Sequence, residues 1–188
     1  MSENEINFIL IRSIIPQRIR ALKVVNFLSP DGAQLNREYP MSSFRQILYH
    51  IIFRTKNSAK TLPLSDSEEL YRYIWGIIKN KKGMLLRING MEDHVHLLSD
   101  LPSTIALADY VRDIKAYSSH WLKENPKFPA FDSWAEGYAA LTCTWRDKDM
   151  IVDYIKNQRG HHRQTDFFTE YRRLLEEQGI TIDERYFP

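Results

Sequence analysis

The stretch "EDHVHLLSD" sets His94 and His96 on either side of Val95, in a chain that contains only six histidines. The surrounding residues suit a β-strand, whose side chains alternate between faces. His94 and His96 therefore project to one side, and Asp93, Val95 and Leu97 to the other. Two neutral imidazoles aimed at one point can share a divalent cation, and a working site then needs a third ligand and an open position for a substrate oxygen. "DYIKNQ" offers that ligand: Tyr154 and Gln158 are four residues apart, on one helical face, and the Gln158 amide oxygen is a neutral donor. Tyr154 adds a phenol whose ordinary pKa of ~10 makes it a weak nucleophile in free solution. A cation on a non-bridging oxygen of a phosphodiester withdraws charge and aligns the phosphorus for in-line attack by that phenol. The product is a protein–DNA ester that keeps the energy of the broken bond for a later rejoining. Each half also has a plainer reading. H-x-H suits two half-exposed histidines on a sheet face, and a Tyr/Gln pair suits a packed aromatic beside a surface amide.

The elements that must position these residues follow from pattern. "FRQILYHIIFRT" (44–55), rich in β-branched and aromatic residues, reads as a strand. Residues 65–82 read as a helix, with Ser65 or Asp66 as N-cap, acids in the first turn, Leu70, Tyr73, Ile74 and Ile77 at helical spacing and Gly83 as stop. "MLLRING" and "DHVHLLSD" read as paired strands turning at Asn89-Gly90. Ser103 or Thr104 opens a second helix that ends before Pro126. "EGYAALTCTW" reads as a further strand, Asp147 caps a continuous helix over 148–163, and residues 166–179 form a last helix stopping at Gly179. The order β-α-β-β-α-β-α predicts an α+β fold: an antiparallel sheet with helices mainly on one face, related to the ferredoxin-like arrangement.

Bulk properties set limits. A chain of 188 residues with 43% hydrophobic and 27% charged residues is globular and long enough for one cored domain. No apolar run approaches the ~20 residues of a membrane helix. The single cysteine, Cys143, excludes an internal disulfide and a cysteine-rich zinc site, and fits a reducing cytoplasm. A net charge of +2 does not announce a nucleic-acid binder, so any DNA footprint must come from local clusters. Residues 1–40, punctuated by Pro16, Pro30, Gly32 and Pro40, read as a peripheral extension or an upstream translation start, and residues 41–188 as the compact domain. Glu3, Glu5 and Arg12 make a signal peptide a poor match.

Taken together, "MEDHVHLL", "EGYAALT" and "YIKNQRGHHR" resemble the successive motifs of the HUH single-tyrosine transposases, which move minimal bacterial insertion sequences through single-stranded DNA. HUH denotes histidine, bulky hydrophobic, histidine: here His94, Val95 and His96. The resemblance runs from about Phe44 through "FFTEYRRLLEEQGITIDERYF" and excludes the first forty residues. It implies the RRM-like HUH variant of the fold. Tyr154 is then the nucleophile, forming a 5′-phosphotyrosine and releasing a 3′-hydroxyl, with His94, His96 and Gln158 holding Mg²⁺ or Mn²⁺. It further implies single-stranded DNA with hairpin ends as substrate, and a homodimer in which the tyrosine acts in cis or in trans. One departure is visible: relatives commonly carry Trp-Gln before the Gly-Tyr pair, whereas this chain has Trp134-Ala135-Glu136-Gly137-Tyr138.

Around this centre, Lys79, Lys81, Lys82, Arg112 and Lys115 could meet phosphates, as could Arg159, His161, His162 and Arg163 at the end of the tyrosine helix. His161 and His162 fit backbone contact or a helix C-terminal role better than a second metal site. Tyr117, Trp121 and Trp134 could stack on bases, although core packing suits them better. Three rival readings stay open: a replication or transfer nickase of the same chemistry, a metal phosphoesterase that activates water, and a catalytically silent hairpin binder.

Overall fold

The computed structural model describes residues 45–162, 165–185 and 187, all within a compact unit spanning residues 44–188. Residues 1–40 and Arg163, for which expectations are given above, lie outside the described residues. Four strands form one sheet: β1 (Leu48–Arg54), β2 (Met84–Gly90), β3 (His94–Asp100) and β4 (Ala139–Cys143). Their order is β2-β3-β1-β4 with every neighbour antiparallel. Helix α1 (Ser67–Asn80) connects β1 to β2, and α2 (Leu107–Glu124) connects β3 to β4. This is the expected α+β, ferredoxin-like arrangement. After β4 come α3 (Lys148–Lys156), the short α4 (Gln158–His161) and α5 (Phe167–Glu177).

The strand alternation assigns each sheet face its own partners. Ile51, Phe53, Val95 and Leu97 face the larger core with Leu70, Ile74 and Ile78 of α1 and Tyr110, Val111 and Ile114 of α2. In α1, Leu70, Ile74, Ile77 and Ile78 recur at helical spacing, so one stripe of the helix is buried. The connection after α2 contributes Phe128, Phe131 and Trp134 to the same core. Trp134 lies edge-on to Phe53 at 4.7 Å and donates its indole N–H to Ser118 Oγ, while Trp121 stacks on Tyr73 at 4.8 Å. These two are packing residues, whereas Tyr117 is exposed. Among the described residues, the two longest α-helices thus share one face, and the three shorter ones close the other. There Leu48 and Leu98 meet Ile155 of α3, and Ile52 and Ala139 meet Phe167 of α5.

Three local expectations are corrected. Asn89 and Gly90 are not the hairpin turn: they pair with His96 and Val95 inside the β2–β3 ladder, and residues 91–93 make the connection, closed by Met91 N–H donating to the His94 carbonyl. A Cβ on Gly90 would lie 2.2 Å from that carbonyl oxygen, so glycine serves close approach here and not a reversed turn. Helix α1 ends at Asn80 through Lys82, whose φ of 61° takes the left-handed position expected of Gly83. The tyrosine helix is not continuous: Asn157 (φ −91°, ψ 13°) separates α3 from α4. Gly179, with φ of 70°, does end α5 as its sequence position predicts.

Candidate active site

Strand β3 carries His94 and His96 on the face covered by α3, α4 and α5, and both are fully buried. Each ring has one nitrogen occupied and one free. His94 Nδ1 lies 2.6 Å from Asp93 Oδ1, and His96 Nδ1 lies 2.9 Å from His50 Nε2 on neighbouring β1. Both Nε2 atoms are buried without a hydrogen-bond partner. Groups that fix Nδ1 also fix the ring and leave the Nε2 lone pair as a ligand. Burial, followed by the neighbouring rings of His94 and His50, lowers the His96 pKa well below the ordinary histidine value, so this ring is neutral. Burial likewise takes His50 down to about 4.

The helices bring Tyr154 and Gln158 to the same place despite the break at Asn157, because both are held by one carboxylate. Glu170 on α5 accepts from the Tyr154 hydroxyl and, at 2.8 Å, from Gln158 Nε2 on the same oxygen, Oε1. Its other oxygen, Oε2, lies 2.8 Å from His162 Nε2 and 3.8 Å from His96 Nε2. Glu170 is 3% exposed and Gln158 is fully buried, and the Gln158 Oε1 has no partner. Burial alone would raise the Glu170 carboxyl. The close His162, the His96 ring and the bonds from Tyr154 and Gln158 together hold it well below the usual carboxylate range. The effect on Tyr154 is opposite: burial first, then the bond to Glu170, pushes the phenol above its ordinary value. Its ring lies 6.2 Å from that of His96, 6.0 Å from His50 and 5.1 Å from His161.

Thus His94, His96, Tyr154 and Gln158 converge within one chain. Sequence reasoning missed Glu170 altogether. His162, expected to serve DNA backbone contact or the end of the helix, has a side chain 7% exposed that faces Glu170. Two clefts reach Tyr154: one of about 180 Å³ beside His161, Thr169 and Arg173, and one of about 260 Å³ beside Cys143, Met150 and Arg173.

The basic residues divide by what they already bind. Lys115 donates to the carbonyls of Ala135 (2.6 Å), Glu136 (2.8 Å) and Gly137 (3.1 Å), which uses all three of its N–H groups and leaves none for phosphate. It holds the segment in which this chain departs from its resemblance. Lys81 pairs with Asp113, and Arg112 with Asp109 (2.5 Å) and Asp113 (3.0 Å). Arg159 donates to Leu64 O (3.2 Å) and Ser67 Oγ (3.1 Å), tying α4 to the start of α1. Lys79 and Lys82 are exposed, with the Lys79 ammonium 5.1 Å above the Trp75 ring.

The residues fit a bound divalent cation. Two imidazole nitrogens and an amide oxygen are buried without a hydrogen-bond partner, and such atoms are costly unless an ion or ordered water completes them. No helix among the described residues is long and apolar enough to cross a membrane.

Comparison with known proteins gives the site its context. No curated protein is detectably similar in sequence. A provisionally assigned transposase from Deinococcus radiodurans R1 is 25% identical, with a TM-score of 0.47 over 67% of this chain and 98% of that one. A REP-associated tyrosine transposase bound to a REP hairpin is 17% identical, with a TM-score of 0.49 over 65% and 74% of the two chains. The sequence profile described as "Transposase IS200 like" matches residues 43–158, more than half of the chain and a stretch that includes both histidines, the tyrosine and the glutamine. By that match the chain belongs to the IS200-like transposase family.

Proposed function

We propose that this transposase cleaves and rejoins single-stranded DNA at the ends of an insertion sequence through a 5′-phosphotyrosine on Tyr154, with His94, His96 and Gln158 holding Mg²⁺ or Mn²⁺. One observation carries the reading: a half-buried phenol meets a buried amide and two buried imidazoles in one cluster, with the Nε2 atoms of both rings and the amide oxygen unpartnered. The bound ion supplies Lewis-acid polarisation of a non-bridging phosphate oxygen. The chain's own residues do the rest. Asp93 and His50 fix the two rings. Glu170 orients the Tyr154 hydroxyl and is the acceptor within reach of its proton. The Tyr154 oxygen then bonds to phosphorus, the bond from phosphorus to the 3′-oxygen breaks, and that oxygen leaves as a hydroxyl with a proton from water, the hydroxide so formed recovering the proton held by Glu170. Rejoining runs the same exchange with another 3′-hydroxyl. The substrate we assign is DNA with hairpin ends, and the active species a homodimer, in keeping with the motif resemblance.

The test is a denaturing gel of protein incubated with Mn²⁺ and single-stranded end DNA. A slow covalent adduct should form, and should vanish with a chelator or with Tyr154→Phe. Cutting that survives Tyr154→Phe would instead show water as the nucleophile. Binding of hairpin DNA without any cutting would leave a silent binder.

A further inference from the structure

We infer that His162 and Glu170 join His94, His96 and Gln158 at the cation site, so that three imidazoles and a carboxylate lead it to take a transition ion such as Mn²⁺ or Zn²⁺ in preference to Mg²⁺. This deepens the reading above, since it rests on His94 and His96 being ligands. It adds residues that lie beyond position 158, where the family match ends.

The Nε2 atoms of His94 and His96 are buried without a hydrogen-bond partner, and His162 Nε2 and Glu170 Oε2 are buried against each other beside them. The donor atoms of His94, His162 and Glu170 all lie within 4.8 Å of one another, and Glu170 Oε2 is 2.8 Å from His162 Nε2 and 3.8 Å from His96 Nε2. Ligand atoms at ~2.1 Å from one ion sit roughly 3–4 Å apart, close to the separations of Glu170 Oε2 from His162 and from His96. The outward-facing atoms are committed elsewhere: His94 Nδ1 to Asp93, His96 Nδ1 to His50, and Glu170 Oε1 to Tyr154 and Gln158. Inward atoms free and outward atoms held is how ligands are oriented around a metal.

A proton shared between Glu170 and His162 is the simplest rival. It satisfies one pair and leaves the nitrogens of His94 and His96 bare, whereas a cation offers those nitrogens a partner as well. The donor types then select the ion. Imidazole suits transition metals, while Mg²⁺ prefers oxygen ligands and retained water. Helix α5 thereby gains a role beyond covering the sheet: Asp166 caps its first turn and so sets where Glu170 points.

The experiment uses the full chain, stripped of metal, with the metal ions alone. Calorimetric titration should show Mn²⁺ binding at least about tenfold tighter than Mg²⁺. Glu170→Gln and His162→Gln should each weaken Mn²⁺ binding by at least about tenfold. Pulsed electron paramagnetic resonance of the Mn²⁺-loaded wild type should count three imidazole nitrogens, a result that needs no variant to fold. Two nitrogens, or both variants binding like wild type, would overturn the inference. His94→Ala separates the layers: lost binding there with unchanged Glu170 and His162 variants sinks only the enlarged ligand set, whereas retained binding in His94→Ala sinks the site itself.

Discussion

At the scale of single residues, Tyr154 is stored as a phenol, because burial and its bond to the Glu170 carboxylate both favour the protonated form. Tyr154→Phe keeps the ring and removes the oxygen that would bond to phosphorus. Covalent adduct formation should fall by at least about a thousandfold, while hairpin affinity in a gel shift stays within about twofold. His50 acts through His96. His50→Phe should weaken Mn²⁺ binding about 10- to 100-fold in a calorimetric titration, as expected when the group orienting a ligand is removed. The two histidines were legible in the sequence because a period of two carries them to one face. Glu170 was not. It stands in "FFTEYRRLLEE", where a buried acid and its exposed neighbours look alike until packing distinguishes them.

At the scale of elements, the joint between α3 and α4 matters most. Asn89 on β2 donates its side-chain amide to the carbonyls of Ile155 and Lys156, 3.0 Å each, and so holds the end of α3 beside the sheet. Asn89→Ala frees both carbonyls. It should lower stability by about 1–3 kcal/mol in denaturant unfolding and slow cleavage more than it weakens DNA binding, since Tyr154 loses its anchor. Gly90→Ala forces a Cβ toward the His94 carbonyl and should cost about 3 kcal/mol. The Asn89-Gly90 pair reads as a turn from local chemistry alone. The β2–β3 ladder, with its register shift between Leu85 and Arg87, takes both residues into the strand, because pairing with β3 satisfies more backbone than an early reversal would. The helical character of α3 and α4 was legible, but the break between them was not, since nothing in "YIKNQR" forbids helical continuation.

At the scale of the whole molecule, the sheet separates stability from chemistry: α1 and α2 build the main core on one face, and the site occupies the other. Ile74→Ala, at a fully buried position on α1, should therefore cost about 2–5 kcal/mol while leaving Mn²⁺ affinity near that of wild type. Tyr110 gives the main core an alkaline limit. Burial raises its phenol to about 12, although the Ser99 hydroxyl at 2.7 Å works in the opposite direction. The unfolded phenol loses its proton near the ordinary value of ~10, so Tyr110's share of stability is full below that pH and lost as pH rises toward 12. Stability measured by denaturant should fall across this window by about 2–3 kcal/mol more in wild type than in Tyr110→Phe. The order of elements was readable because hydrophobic period and capping are local properties. Which helices cover which face was only half readable, because amphipathic helices show that they have a buried side and not which sheet face it meets.

The sequence by itself determined the strand that carries His94 and His96, the helix that carries Tyr154 and, through three motifs in order, the family. Those follow from periodicity and from spacing along the chain, which exist before folding. The tertiary structure alone decided that His50 and Asp93 hold the rings, that Glu170 joins Tyr154 to Gln158, and that His162 turns inward. Glu170 lies 76 positions beyond His94 in the chain, yet its carboxylate falls within 4.8 Å of that ring's nitrogen. Proximity of that kind is set by how α5 packs against β1 and β4, and no local pattern encodes it.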